Sequence, residues 1–271
     1  MTEFYKNPVQ CLTLGEHKFY HRGNCEFELV RQPTGSFMPW SLHSMIEESA
    51  VGISRNMPCL WSASGDSVAV EISSENQGRA VWRFRLGPHG LLRFRMEVTN
   101  ASPHRAENAF VLVHNFPSPR LFRGDKTYVQ TGDGLRELRE LWPNGVDAGQ
   151  GVYPFEGKRQ TVQSVEAGGY WKLVPCSLTL PMVCRIGGGN EPTPHARWCE
   201  SSPIVAGMAC ERIAAVYSNY IWPCLDLRMD FGTIGPGQTA SQDGLIGIME
   251  GTLQDFVDCA RAVAPGAPPA S

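Results

Sequence analysis

The chain lacks most of the motifs that identify common enzyme classes. It has no Gly-x-Ser-x-Gly nucleophile elbow and no Gly-x-Gly-x-x-Gly dinucleotide fingerprint. Its glycine run at 187–189 lacks the Gly-Lys-Ser/Thr ending of a phosphate-binding loop. None of its nine cysteines forms a Cys-x-x-Cys pair, and several lie among apolar residues, so we expect reduced, buried thiols. We therefore expect neither an organic cofactor nor a structural zinc site.

The chain also has little net charge and no long apolar run. Its formal net charge is −3, and no basic stripe with interleaved aromatic residues is visible, so no nucleic-acid or anionic-membrane partner is expected. No apolar run approaches the roughly 18 residues of a membrane span. The first ten residues, MTEFYKNPVQ, do not show a secretory signal. We expect a cytoplasmic protein, and a homo-oligomer is possible.

What the sequence contains is typical of a β protein. Of its 271 residues 42% are hydrophobic, enough for a sizeable core, and 28 glycines with 20 prolines suit short strands joined by turns. About fifteen strand candidates favour two large packed antiparallel sheets. One helix is predicted, after the capping box Thr252-x-x-Asp255. We predict one all-β domain over residues 1–264 and a disordered tail over 265–271.

Residues 91–120, LLRFRMEVTNASPHRAENAFVLVHNFPSPR, give the strongest local pattern. Apolar and charged residues alternate over 92–98, which predicts a half-buried strand. Asn100-Ala-Ser-Pro103 predicts a turn. The apolar run 109–113 predicts a strand buried on both faces, with His114 emerging at its end.

Three segments resemble the galactose mutarotase (aldose 1-epimerase) superfold, a large antiparallel β-sandwich. They are the strand and turn at 92–102, the histidine-bearing strand at 109–116, and the turn Ile234-Gly-Pro-Gly-Gln238. The chain departs from the family in having a single His114 followed by Asn115-Phe116, an Asp in place of the late catalytic Glu, and no matching second histidine at 150–190. The resemblance implies the supersandwich fold, with a short C-terminal helix here, and a carbohydrate-related function. It leaves epimerase, glycosidase and lyase chemistry open.

The favoured hypothesis is a carbohydrate-active enzyme that uses general acid/base chemistry. His114 would exchange a proton at a sugar oxygen, and Asp226 or Asp230 would serve as the opposing base. The two aspartates lie on or just after the predicted strand 224–229, to which the family resemblance also points.

Other residues are predicted to bind the substrate. Arg95 or Arg120 would orient an acidic or hydroxyl-rich sugar. Aromatic and imidazole side chains in or beside predicted loops could stack on or bond to a pyranose ring. These loop residues are Trp40, His43, Trp142 and Trp222.

Two alternatives stay open from the sequence. One is a non-catalytic carbohydrate-binding or assembly domain, in which the loop tryptophans form a platform. The other is a metal-dependent enzyme that uses His17 and His21, with His43 or a carboxylate completing the ligand set.

Overall fold

The computed structural model describes residues 10–21, 23–32, 40–118, 122–141, 149–153, 172–187, 203–219 and 224–264. These residues form two nine-stranded sheets, with strands numbered here in chain order. The first sheet has the spatial order β1 (Gln10–Leu14), β2 (His17–His21), β3 (Glu26–Arg31), β4 (Trp40–Ser49), β9 (Ala106–Pro117), β17 (Cys224–Ile234), β16 (Ile213–Asn219), β12 (Gly149–Tyr153), β13 (Lys172–Pro175). The second sheet has the order β11 (Gly134–Glu137), β10 (Phe122–Thr131), β14 (Leu178–Gly187), β15 (Ile204–Cys210), β18 (Thr239–Glu250), β8 (Leu92–Asn100), β7 (Gly78–Leu86), β6 (Ser67–Ser74), β5 (Cys59–Ser64).

The fold is all-β and antiparallel, as the sequence predicts. Every named pair of neighbouring strands is antiparallel except the parallel pair β12–β13. The alternation at 92–98 forms β8, which pairs with β7 and β18. The predicted hairpin at 59–72 forms β5 and β6. The architecture is a large β-supersandwich with a short C-terminal helix.

The interior lies between the two sheets and is made by side chains of both. Phe27 of the first sheet packs edge-on against Trp82 of the second, with ring centroids 5.6 Å apart. Trp82 in turn meets Phe94 of the neighbouring strand. One charged side chain, Arg185, is also enclosed here, and it donates to the Thr127 and Ser218 hydroxyls. Burial of these aromatic surfaces is the main stabilising term of such a core.

Helix α1 (Leu253–Arg261) covers part of the second sheet's outer face. Thr252 caps it through the predicted box with Asp255. Phe256 is fully buried against the sheet. A Cβ at Gly207 would lie 2.4 Å from the Phe256 ring, so only glycine lets the helix approach β15 this closely.

The structure differs from the sequence-based expectation at three places. Trp40 and His43, expected in or beside loops, lie on the strand formed by residues 40–49. Polar residues here alternate with apolar ones that face the interior. His114 lies within β9, which continues to Pro117, and not at a strand end. A strand also occupies Gly149–Tyr153, inside a predicted loop.

The predicted tail, 265–271, lies outside the described residues, and the single domain over 1–264 stays a prediction. Within the described ranges, no helix has the length and apolar character needed to cross a membrane.

Candidate functional site

The candidate site lies on the outer face of the first sheet, the face turned away from the second sheet. In β9, Val111 and Val113 point into the sandwich core, so His114 and Phe116 alternate to the outer face. In β17, Leu225 and Leu227 belong to the core. Asp226 between them therefore shares the outer face with His114.

His114 and Asp226 face each other across neighbouring strands. They are direct register partners, and His114 Nδ1 lies 3.6 Å from Asp226 Oδ2. This separation exceeds a hydrogen bond but permits an ion pair. The His114 side chain is 16% exposed, whereas that of Asp226 is fully buried. Only the histidine can therefore touch a molecule from solvent.

Burial dominates the electrostatics of Asp226. Loss of hydration raises the pKa of its carboxyl, and the neighbouring His114 imidazole acts in the opposite direction. Asp226 Oδ1 accepts a long bond from the Asn115 backbone N–H, at 3.4 Å. Oδ2, the oxygen nearest His114, is buried and has no hydrogen-bond partner among the residues that the structure describes.

A second histidine–carboxylate pair lies beside the first. His43 Nε2 is 2.9 Å from Glu26 Oε1 on the adjacent strand. The His43 ring stacks on Phe116 at 5.7 Å, and the His114 ring meets the same phenyl ring at 5.8 Å. His43 is the register partner of Phe116, two residues from His114, so the two histidines are diagonal neighbours roughly 7–8 Å apart.

Arg228 extends this polar cluster along β17. It follows Asp226 on the same face and is fully buried. Its guanidinium carbon lies 3.5 Å from the centroid of the Phe110 ring. In the part of the chain that the structure describes, its Nε and both Nη atoms have no hydrogen-bond partner.

Of the remaining predicted site residues, those that the structure describes do not join this cluster. Asp230 is on the outer face of β17, but its register partner is Phe110 and its Oδ1 accepts from the Gly232 N–H. Arg95 lies on the second sheet, where it pairs with Asp243 at 3.0 Å. Trp40 is 1% exposed and packs inside the sandwich, so it offers no surface to a sugar. Arg120, Trp142 and Trp222 lie outside the described residues.

The histidines of the metal hypothesis are separated. His17 and His21 face the sandwich interior, where His21 stacks on Trp61 at 4.5 Å. Burial lowers the pKa of His17 to about 4. His43 lies on the opposite face of the sheet. Among the described residues, no group of three or more His, Cys, Asp or Glu could hold a metal ion.

Sequence reasoning missed two members of the cluster. Glu26 opens the strand EFELVR, and Arg228 follows Asp226 by two residues. Period-two alternation alone places each on one face of its strand. What the sequence does not contain is the strand order that puts β3, β4, β9 and β17 side by side.

Comparison with known proteins gives structural likenesses only. No family model and no curated protein matches the chain. A candidate aldose 1-epimerase from Klebsiella pneumoniae is similar with a TM-score of 0.36 and 8% identity, over 81% of this chain and 62% of that one. A GalM/aldose epimerase homologue from C. elegans is similar with a TM-score of 0.45 and 8% identity, over 89% of this chain and 98% of that one. A distant galactose mutarotase-like resemblance is thus found by structure as well as by sequence; at this identity it concerns the fold alone and carries no weight for function. The chain spans 62% of the length of the Klebsiella protein.

Proposed function

We propose that the protein is an enzyme that acts on a sugar by general acid/base catalysis at His114. The observation that carries this proposal is the His114–Asp226 pair, in which a partly exposed imidazole lies 3.6 Å from a fully buried carboxylate. The negative charge of a carboxylate beside Nδ1 favours the tautomer with its proton on that nitrogen, which leaves Nε2 to exchange a proton with a substrate. The sugar class is supported by the three sequence segments that resemble the mutarotase family.

The geometry changes the role proposed for Asp226. A gap of 3.6 Å leaves no room for a sugar between the two side chains, so they do not act from opposite sides of a substrate. Asp226 is instead a positioning residue that acts through His114. The second proton-exchanging group of the proposal is His43, which Glu26 holds at 2.9 Å.

Among sugar reactions, this arrangement favours an epimerase-type proton exchange over glycoside hydrolysis. Glycosidases of the common type need two carboxyl groups that flank the scissile bond. Here each carboxylate is engaged by a histidine, and Asp226 is fully buried. Two histidines at diagonal strand positions, with backbones roughly 7–8 Å apart, can instead serve two oxygens of one pyranose ring.

The test is anomer exchange measured by NMR with D-galactose, D-glucose, D-galacturonate and D-glucuronate, and p-nitrophenyl glycosides report hydrolysis. We expect exchange by the unaltered protein and a loss of about 10²–10⁴-fold in kcat/KM for His114→Asn. Asp226→Asn should also change the pH profile of kcat/KM, because it removes the buried ionisable carboxyl that faces His114.

Matched controls are His104→Asn and Asp243→Asn, exposed groups remote from this pair, which should leave exchange unchanged. Full activity in both His114→Asn and Asp226→Asn would contradict the proposal.

A further inference from the structure

The feature that the proposed chemistry leaves unexplained is the buried guanidinium of Arg228. The residue is 0% exposed, and none of its three nitrogens has a hydrogen-bond partner within the described segments. A buried charge without a partner is strongly unfavourable, because the hydration it loses is not replaced. The Phe110 ring makes a favourable contact with this group, because it covers one face of the guanidinium at 3.5 Å.

Arg185 shows what a structural buried arginine looks like in the same molecule. It is also 0% exposed. Its Nη2 donates to Thr127 Oγ1 at 2.8 Å, to Ser218 Oγ at 3.2 Å and to the Cys224 carbonyl oxygen at 3.0 Å. Among the described residues, acceptors lie beside one buried guanidinium and not beside the other. The N–H groups of Arg228 therefore keep donor capacity that the described residues do not use.

The position of Arg228 relates it to the proposed reaction centre. It lies two residues from Asp226 on the same face of β17, roughly 6.5 Å along the strand. Its register partner on β9 is Leu112, which lies between Phe110 and His114 on that face. Arg228 and His114 are therefore diagonal neighbours across β17 and β9, roughly 7–8 Å apart, a span on the scale of one substituted pyranose. Phe110 is only partly buried, so its ring can yield to a ligand.

We propose that Arg228 binds an anionic substituent, a carboxylate or a phosphate, of the sugar that reacts at His114. A guanidinium offers paired N–H donors whose geometry fits both groups. The anion replaces the Phe110 ring and neutralises the buried charge. That the ligand is a sugar rests on the proposed function, whereas anion binding at Arg228 does not depend on that function.

The experiment measures ligand-induced thermal shifts, which report binding to the folded state. The probes are D-galacturonate, D-glucuronate, D-galactose 6-phosphate and inorganic phosphate, with neutral D-galactose and D-glucose as reference. The variants are Arg228→Met and Arg228→Lys, with Arg79→Met as a matched control, because Arg79 is an exposed arginine already paired with Glu71.

We expect an anionic sugar to raise the melting temperature of the unaltered protein more than its neutral counterpart does. Arg228→Met should lose this difference and should itself be at least as stable as the parent, because a buried unpaired charge has been removed. Arg228→Lys should keep part of the difference, and Arg79→Met all of it. If uronates raise the melting temperature, the group bound by Arg228 is a carboxylate. If the sugar phosphate or inorganic phosphate raises it, the group is a phosphate.

Anionic probes that stabilise Arg228→Met as much as the parent would overturn the proposal, as would the absence of any anion-dependent shift in the parent. If Arg228→Met does not fold, the test uses Arg228→Lys. The quantity compared is the ratio of the melting-temperature shift caused by an anionic sugar to the shift caused by its neutral counterpart. A ratio equal to that of the parent would contradict the proposal. Turnover of neutral sugars without anion preference would reject this inference and keep the proposed function. A melting-temperature shift that depends on Arg228, without turnover of any sugar, would support anion binding at Arg228 and reject the proposed function.

Discussion

The outer faces of the two sheets use charged residues in opposite ways. On strands β6, β7, β8 and β18 of the second sheet, outer-face charges lie in solvent and are paired across strands, as in Arg79–Glu71 and Arg95–Asp243. On the first sheet, Asp226 and Arg228 are fully buried on one strand, and neither the carboxylate oxygen nearest His114 nor the guanidinium has a hydrogen-bond partner in the described residues. Another part of the second sheet's outer face, on β14, β15 and β18, is apolar and is covered by α1.

This difference separates structure from candidate function. Solvated pairs contribute little free energy and specify little chemistry. Apolar burial stabilises the fold without reactive groups. Buried charges without full compensation destabilise the fold, so their presence needs another reason, and perturbed groups of this kind are concentrated in functional sites. The predictions below measure the two faces against each other.

The largest expected effect lies at the helix-covered face. Phe256→Ala should lower the free energy of unfolding by about 3–5 kcal/mol, because it empties a fully buried site between α1 and the sheet. Phe256→Leu, which keeps most of the volume, should cost clearly less. Urea unfolding checks both. A loss below about 1 kcal/mol for the alanine variant would mean that α1 contributes little to this face.

The next effect concerns His17, a buried polar side chain on the interior face of the first sheet. Burial lowers the pKa of His17 from 6.5 to about 4, and both ring nitrogens lack hydrogen bonds in the described residues. The folded state therefore prefers the neutral ring. Its contribution to stability is complete above pH 6.5 and is lost as the pH falls through about 4.

His17→Leu should remove that acid-dependent loss, which amounts to about 3 kcal/mol at low pH. The measurement is urea unfolding at a series of pH values between 7 and about 3.5. His104→Asn, at an exposed histidine, serves as control and should keep the parent slope. An unchanged slope in His17→Leu would contradict the assignment of this titration to His17.

Much of the fold was predictable because local patterns agree with it. The alternation at 92–98 gives β8, and the box at Thr252 gives the start of α1. The expectation was wrong at Trp40 and His43, which lie on a strand and not in or beside loops. The interior-facing Ser44 of that strand is accommodated by a hydrogen bond to Asn115 Oδ1, at 2.8 Å. A tertiary partner thus overrides a local signal, and a single sequence does not reveal such a partner.

The site was predictable only in part. His114 and Asp226 were both selected as candidates, from strand patterns and from the family resemblance, and they are register partners. Their 3.6 Å separation, which changes the role proposed for Asp226, depends on the pairing of strands more than 100 residues apart in sequence. Glu26 and Arg228 entered no prediction, because alternation gives a residue's face but not its neighbours.

A smaller effect should appear at Asp226 itself. Burial raises the pKa of this carboxyl, so its contribution to stability is present below its unfolded value of 3.8 and is lost as the pH rises through the folded pKa. At neutral pH, Asp226→Asn should therefore unfold at a higher urea concentration than the parent, although its activity falls. Asp243→Asn, at the exposed and paired position, should show no such gain. A destabilised Asp226→Asn protein would show that the carboxylate has a structural partner and would weaken the contrast between the faces.

The smallest effect belongs to the solvated charges of the second sheet. Arg83 and Glu97 are paired across β7 and β8, with side chains 44% and 32% exposed. A double-mutant cycle with Arg83→Ala and Glu97→Ala should give a coupling energy of about 0.2–1 kcal/mol that decreases in high salt, because water and ions screen an exposed pair. Coupling well above that range would place this pair with the buried charges of the first sheet. The strength of charge pairing would then no longer distinguish the outer face of the first sheet, which carries the candidate site, from that of the second. The two faces would differ only in how exposed their charged side chains are.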